Sequence, residues 1–306
     1  MKYVLVFPGQ NSRYPEMLDS LRVLTPVANG VLCEASDVLG RNLSEHYRKD
    51  NPDIFARNRD IQVGVFLANF IYARTLEADG IRPDASAGLS LGEYNHLVEI
   101  GALTFASALQ LLDARGAAYE SAPAGRMISV FPCQKDQVEE ALEIGRKIGN
   151  VDISIHLGRK HFVLGGETDA VEASATWLEE EVFAQSNVID SRLPMHAGVF
   201  KPAADAFKAA LESSHWQRAH SPYLPNVEGK FVENQSPSDF TDKLYRHVFS
   251  TVQWQRSVEL MTQSFPDATF IEVGPKAVLY NQLSREYRSL ITLHTDKESC
   301  WQTSRA

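Results

Sequence analysis

GLSLGEY, residues 88–94, sets Ser90 midway between two glycines, with apolar residues on both flanks. The spacing G-x-S-x-G is that of a nucleophile elbow. In such an elbow the chain turns so tightly from strand to helix that only small residues fit two positions either side of the serine. An ordinary turn with a serine helix cap has the same five-residue pattern. The neighbours supply the context: ASAGLS, ending at Ser90, reads as a short buried strand, and a helical pattern resumes at Leu91.

Working outward, Tyr3–Phe7 is a short apolar strand stopped by Pro8-Gly9. Helical patterns cover Pro15–Leu21, Pro26–Leu39, the long apolar run from Ile61 to Gly80, and the segment from Thr104 to about Ala122. From Gly125 to Asp190 the rhythm changes. RMISVF, VDISIHL, KHFVLGG and SNVID read as strands, with a turn at Gly158-Arg159, and two charged amphipathic helices lie between them. The order βαββαβ predicts a ferredoxin-like unit. Strand–helix alternation then resumes, most clearly in ATFIEV, GPKAVLYNQLSREYRS and LITLH. The expected fold is α/β: a hydrolase-like core with a mostly parallel sheet, formed by residues 1–124 and 191–306, and an inserted ferredoxin-like α+β subdomain at 125–190.

Composition narrows the function classes. The 306 residues carry a net charge of −9, which argues against a general nucleic-acid binder but leaves room for a local basic patch. Cys33, Cys133 and Cys300 are odd in number and far apart, with no CxxC pair. Neither a disulfide framework nor a metal site is expected, and a reducing cytoplasm fits them best. The opening MKYVLVFPGQ is too short in its apolar run for a secretory signal, and no segment reaches transmembrane length, so no membrane partner is expected.

A serine nucleophile needs a base. Among nine histidines, His196 lies in an apolar turn-like segment, LPMHAGVF, just after the insert; His96 sits on the helix after the elbow, and His247 in LYRHVFS. Each also reads as a structural histidine. Acyl chemistry further needs oxyanion donors. The elbow supplies the Leu91 N–H, and the glycine-containing loop FPGQNS at the end of the first strand is where open α/β sheets gather ligands.

Taken together, FPGQNS, GLSLGEY, LDARGAAYE, MHAGVF, PNVEGK, VQWQRSVELM and IEVGPKAVL resemble, in order, the motifs of the malonyl-CoA:acyl carrier protein transacylases of fatty acid and polyketide synthesis. The resemblance runs from Tyr3 to about Arg288. It implies an enzyme in which Ser90 carries the acyl group as an ester and His196 is the base. It also implies that Gln10 and Leu91 N–H groups hold the oxyanion and that Arg115 pairs bidentately with a malonyl carboxylate. Coenzyme A thioester would be a substrate, no resident cofactor or metal would be needed, and an acyl carrier protein would be the partner.

Departures from the family pattern matter for the substrate. Leu89 stands where the family usually has His, and Asn11 and Arg13 alter the first loop. His247 replaces a Gln whose backbone carbonyl orients the base, and Met195 takes a position that reads acyl size. These changes favour polyketide or related biosynthesis. Arg159, Lys160 and Lys201 are the expected docking cations for an acidic carrier, although a solvated face would look the same. Two other functions share the fold: an acyl hydrolase that clears stalled carriers, disfavoured by Arg115, and a non-catalytic docking module, disfavoured by the intact Ser90–His196 set.

Overall fold

The structure, a computed structural model, describes residues 1–189 and 192–296. In chain order its elements are β1 (Tyr3–Phe7), α1 (Met17–Leu24), α2 (Val27–Leu39), α3 (Leu43–His46), α4 (Asn58–Ala78), β2 (Ala85–Gly88), α5 (Gly92–Glu99) and α6 (Phe105–Glu120). There follow β3 (Arg126–Phe131), α7 (Lys135–Gly145), β4 (Val151–Gly158), β5 (His161–Gly166), α8 (Thr168–Glu181) and β6 (Gln185–Val188). The chain continues through α9 (Lys201–Glu212), α10 (Pro237–His247), α11 (Trp254–Ser264), β7 (Thr269–Glu272), α12 (Val278–Glu286) and β8 (Ile291–His294).

One sheet has the order β2-β1-β7-β8, and all of its pairings are parallel. β1 lies inside it, so both its faces are buried and its sequence is continuously apolar. The period of two still sorts its side chains. Leu5 and Phe7 join the core under α4 and α5, while Val4 and Val6 pack with Trp254 and Val258 of α11. The second sheet has the order β4-β5-β3-β6, all antiparallel, with α7 and α8 on one side, which is the ferredoxin-like arrangement expected for the insert.

Local boundaries differ from the sequence reading for identifiable reasons. β2 stops at Gly88 because Ser90 has a φ of 53° that no strand accommodates. The β4–β5 turn is centred on Arg159-Lys160, one residue later than the composition indicates. α12 begins only at Val278, because Lys276 takes a φ of 63° and breaks the approach. The expected subdomain boundary at 190/191 and Cys300 lie outside the described residues.

The insert is tied to the core beside the segment that follows α10. Val252 N–H donates to Ser154 O at 2.9 Å and His156 N–H to Val252 O at 3.0 Å, while Thr251 Oγ1 donates to Ile153 O at 2.6 Å. Gly198 N–H donates to Asp152 Oδ2 at 2.8 Å. One strand of the insert, β4, therefore positions two separate pieces of core chain. Among the described residues no helix is long and apolar enough to cross a membrane.

Candidate active site

Ser90 sits between the end of β2 and the start of α5, and it meets His196: Ser90 Oγ is 2.8 Å from His196 Nε2. Both residues are in the left-handed region, at φ 53° and 64°. Each placement costs roughly 1–2 kcal/mol for a residue with a Cβ. Strain at two residues that touch each other over a cavity is the pattern of a functional site. The two flanking glycines make the turn possible. A Cβ on Gly88 would lie 1.9 Å from Gly92 O, and one on Gly92 would lie 2.2 Å from Phe7 O. The capped-turn reading of GLSLGEY predicts neither feature.

The base is fixed by the end of α10. His196 N–H donates to Val248 O at 2.9 Å, and Nδ1 lies 2.6 Å from His247 O. A carbonyl only accepts, so Nδ1 carries a proton, and Nε2 is left as the lone-pair nitrogen facing Ser90. Burial pushes the imidazole well below its ordinary range, neighbouring His247 and Arg115 push the same way, and the hydrogen bond to the His247 carbonyl opposes them. A neutral imidazole is the form that can take a proton.

Asn226, in PNVEGK, locks the elbow from the opposite side. Its Oδ1 accepts from Ser90 N–H at 2.8 Å, and its Nδ2 donates to Gly88 O at 2.7 Å. Its own N–H donates to Glu93 Oε1 at 3.2 Å, and the Tyr223 hydroxyl donates to the same oxygen. GLSLGEY and PNVEGK contain both residues, but spacing along the chain assigns Asn226 and Glu93 no role. The signal was there, in an Asn next to a short loop and a Glu directly after the elbow. What the pattern lacks is any hint that two segments more than 130 residues apart meet.

A cavity of about 140 Å³ opens at the pair. The core lines it with Gln10, Leu89, Ser90, Met195 and His196, and the insert with Met127, Ile155, Leu157 and Val163. Gln10 opens a 3₁₀ turn, Gln10–Ser12, at the end of β1, and is 6% exposed. Leu91 stands at the N-cap of α5 with its side chain fully buried, so its N–H lies in the unpaired first turn of that helix. Leu89 and Met195 are both cavity walls, as a role in reading acyl size requires.

Arg115, on α6, is 1% exposed. Its Nη1 donates to Gln62 Oε1 at 2.9 Å, and its guanidinium lies 4.6 Å from the Tyr119 ring centroid and 5.5 Å from that of Tyr94. Nε and Nη2 have no hydrogen-bond partner, and among the described residues no carboxylate pairs with it. A buried cation without an anion is costly unless a ligand supplies one. Arg115 does not border the 140 Å³ cavity itself.

The remaining candidates fall elsewhere. His96 is a structural residue: its Nε2 accepts from Leu224 N–H at 3.0 Å, its Nδ1 faces Ser86 Oγ at 2.8 Å, and burial pushes its pKa down to about 4. Arg159 and Lys160 are exposed on the β4–β5 turn, with the Arg159 guanidinium 4.9 Å from the Tyr287 ring centroid. Lys201, the first residue of α9, is exposed but paired with Asp205 at 2.9 Å.

The acyl transferase domain family model matches residues 4–302. The chain is 27% identical over 297 residues to the malonyl CoA-acyl carrier protein transacylase of Bacillus subtilis, covering 95% of this chain and 92% of that one. The fold is similar to the crystal structure of a transacylase of Streptococcus pneumoniae, with a TM-score of 0.91, 27% identity and 99% of each chain covered. It is also similar to a malonyl-transacylase in complex with its type II polyketide acyl carrier protein, with a TM-score of 0.89, 27% identity and 97% of each chain covered.

Proposed function

The chain belongs to the acyl transferase domain family, and we propose that it moves a malonyl group from coenzyme A, through an ester on Ser90, to the phosphopantetheine thiol of an acyl carrier protein. The observation that carries this reading is the 2.8 Å contact between Ser90 Oγ and His196 Nε2, with both residues held in the left-handed region. Ser90 Oγ attacks the thioester carbonyl as its proton passes to His196 Nε2. The tetrahedral oxyanion is held by the N–H groups of Gln10 and Leu91. Collapse expels coenzyme A as its thiol, which takes the proton from His196. In the second half the carrier thiol gives its proton to His196 and attacks the ester, and Ser90 recovers its hydrogen.

Malonyl is favoured over a neutral acyl group by Arg115, whose Nε and Nη2 are buried and unpartnered. A malonate carboxylate supplies the missing anion in the bidentate geometry that guanidinium prefers. Coenzyme A is substrate in this scheme, and the scheme calls for no resident cofactor. The division into a core (1–124 and 191–306) and an insert (125–190) gives the cavity one wall from each unit. The departures at Leu89 and Met195 favour polyketide or related biosynthesis over fatty acid synthesis. The free thiol of exposed Cys33 suits a cytoplasmic setting.

The test is to incubate the protein with malonyl-CoA, with and without a carrier protein, and weigh both proteins by mass spectrometry. A malonyl adduct on the enzyme that moves to the carrier supports the reading. Release of free malonate without a loaded carrier would make the protein a hydrolase, and no adduct on either protein would leave only docking.

A further inference from the structure

Arg115 is held by a hydrogen bond from one nitrogen only. Gln62 Nε2 donates to Asn58 Oδ1 at 2.6 Å, which turns Gln62 Oε1 towards Arg115 Nη1, 2.9 Å away. The two nitrogens left open, Nε and Nη2, share one edge of the guanidinium, a fork that meets a carboxylate with two parallel bonds. Two phenols flank the same guanidinium: the ring centroids of Tyr119 and Tyr94 lie 4.6 Å and 5.5 Å from its central carbon. Both side chains are fully buried, and neither hydroxyl has a hydrogen-bond partner. The Tyr119 ring is also packed edge-on against Phe200, with centroids 4.7 Å apart. Burial pushes the Tyr119 hydroxyl up to about 12 and raises the Tyr94 hydroxyl as well, while the Arg115 charge pulls both down, so both oxygens lie within its field. Four polar groups without a partner in the protein thus gather round one buried cation.

We infer that Tyr94 and Tyr119 are specificity-determining residues, whose hydroxyls donate to the same acyl carboxylate that Arg115 Nε and Nη2 grip and so complete a four-donor cage for a carboxylated acyl group. The inference rests on the reading of the chain as an acyltransferase whose substrate carboxylate meets Arg115. Buried donors left unpaired are costly, and in a native interior they call for an explanation. A carboxylate brings two oxygens and about four lone-pair sites, which match two guanidinium N–H groups and two hydroxyls. An acetyl group brings none and leaves all four donors desolvated. A site built to hydrogen-bond one substrate rejects an analogue that lacks the partner, so the cage discriminates more steeply than a guanidinium alone. It also lies close to the chemistry, since the Arg115 charge bears on His196.

The experiment compares wild type with Tyr94→Phe and Tyr119→Phe, each of which removes one oxygen and keeps the ring. Acyl-enzyme formation from malonyl-CoA and from acetyl-CoA is followed by intact mass in single turnover. In each variant the malonyl-to-acetyl ratio of kcat/KM is expected to fall by roughly 10- to 100-fold, the scale of one hydrogen bond to a charged group. The unfolding midpoint of the ligand-free protein should stay level or rise, because the lost oxygen had no partner. A ratio that moves less than threefold overturns the inference. So does a variant that unfolds more readily or fails to fold, since that would mean the hydroxyl serves the fold. Calorimetric titration with the free malonate ion makes the same comparison without turnover: affinity should fall by a similar factor in each variant, and equal affinity overturns the inference. A wild-type protein that binds malonate but gains no acyl mass would instead overturn the acyltransferase reading and leave the cage standing.

Discussion

At the scale of single residues, the chemistry depends on a few atoms whose removal has separable consequences. Ser90→Ala is expected to abolish the malonyl adduct without loss of fold, because one oxygen is removed at a site already shaped by backbone; intact mass after exposure to malonyl-CoA checks it. His196→Ala should slow acylation by roughly 10²–10⁴-fold, the scale of a lost acid–base group, measured in single turnover. Arg115→Ala carries a sharper expectation, because it changes preference rather than rate alone. Without the guanidinium a malonyl carboxylate is buried unpaired, at a cost of about 3–5 kcal/mol, while an acetyl group escapes the penalty of sitting beside a desolvated charge. The malonyl-to-acetyl ratio of kcat/KM should therefore fall by roughly two to four powers of ten. A ratio unmoved by the substitution would remove Arg115 from substrate recognition and leave the serine mechanism standing.

At the scale of elements, the site is a junction of β2, α5, the segment after α10 and the loop carrying Asn226. Asn226→Ala removes the acceptor of Ser90 N–H and the donor to Gly88 O in one change. Leaving such buried groups unpaired costs on the order of 2 kcal/mol. The elbow should lose its geometry before the whole molecule unfolds, so acylation is expected to drop far more than the melting temperature. Parallel calorimetry and single-turnover assays separate the two effects. The turn itself was legible in GLSLGEY, because close backbone approach requires glycine at fixed offsets. The four-residue helix α3 was not legible, since so few residues cannot show a helical period.

At the scale of the whole molecule, two consequences follow from charge. Glu272, at the end of β7, is buried, and burial raises its carboxyl to about 7 despite the hydrogen bonds it accepts from Val278 and Tyr280 N–H. Its folded pKa thus lies above the unfolded one, so folding is favoured by the protonated form. That contribution, roughly 3 kcal/mol at most, is complete below about pH 4.5 and is lost as the pH rises towards about 7. The stability difference between wild type and Glu272→Gln should therefore change between these pH values and be flat above them, as denaturant titrations at several pH values would report. The second consequence concerns docking. With a net charge of −9, attraction of an acidic carrier must be local. Reversing Arg159, Lys160 and Lys201 to Glu should weaken transfer to the carrier and spare acylation from coenzyme A. Equal loss in both half-reactions would point to misfolding, and no loss would place docking on another face.

Spacing along the chain was enough for the strand–turn–helix at Ser90 and the βαββαβ order of the insert, whereas His196 stood out from eight other histidines only through the resemblance of the ordered motifs. The first two rest on glycine sterics and side-chain periodicity. Packing of distant segments is what brings Asn226 onto the elbow, sets Glu93 behind His247, and makes Gln62 the partner of a buried Arg115. The insert's share of the cavity wall, a minority of its lining, is equally invisible along the chain. The physical reason is the same in each case. A polar side chain carries its donors and acceptors in the sequence, but which of them are desolvated together depends on segments far apart in the chain being packed against one another.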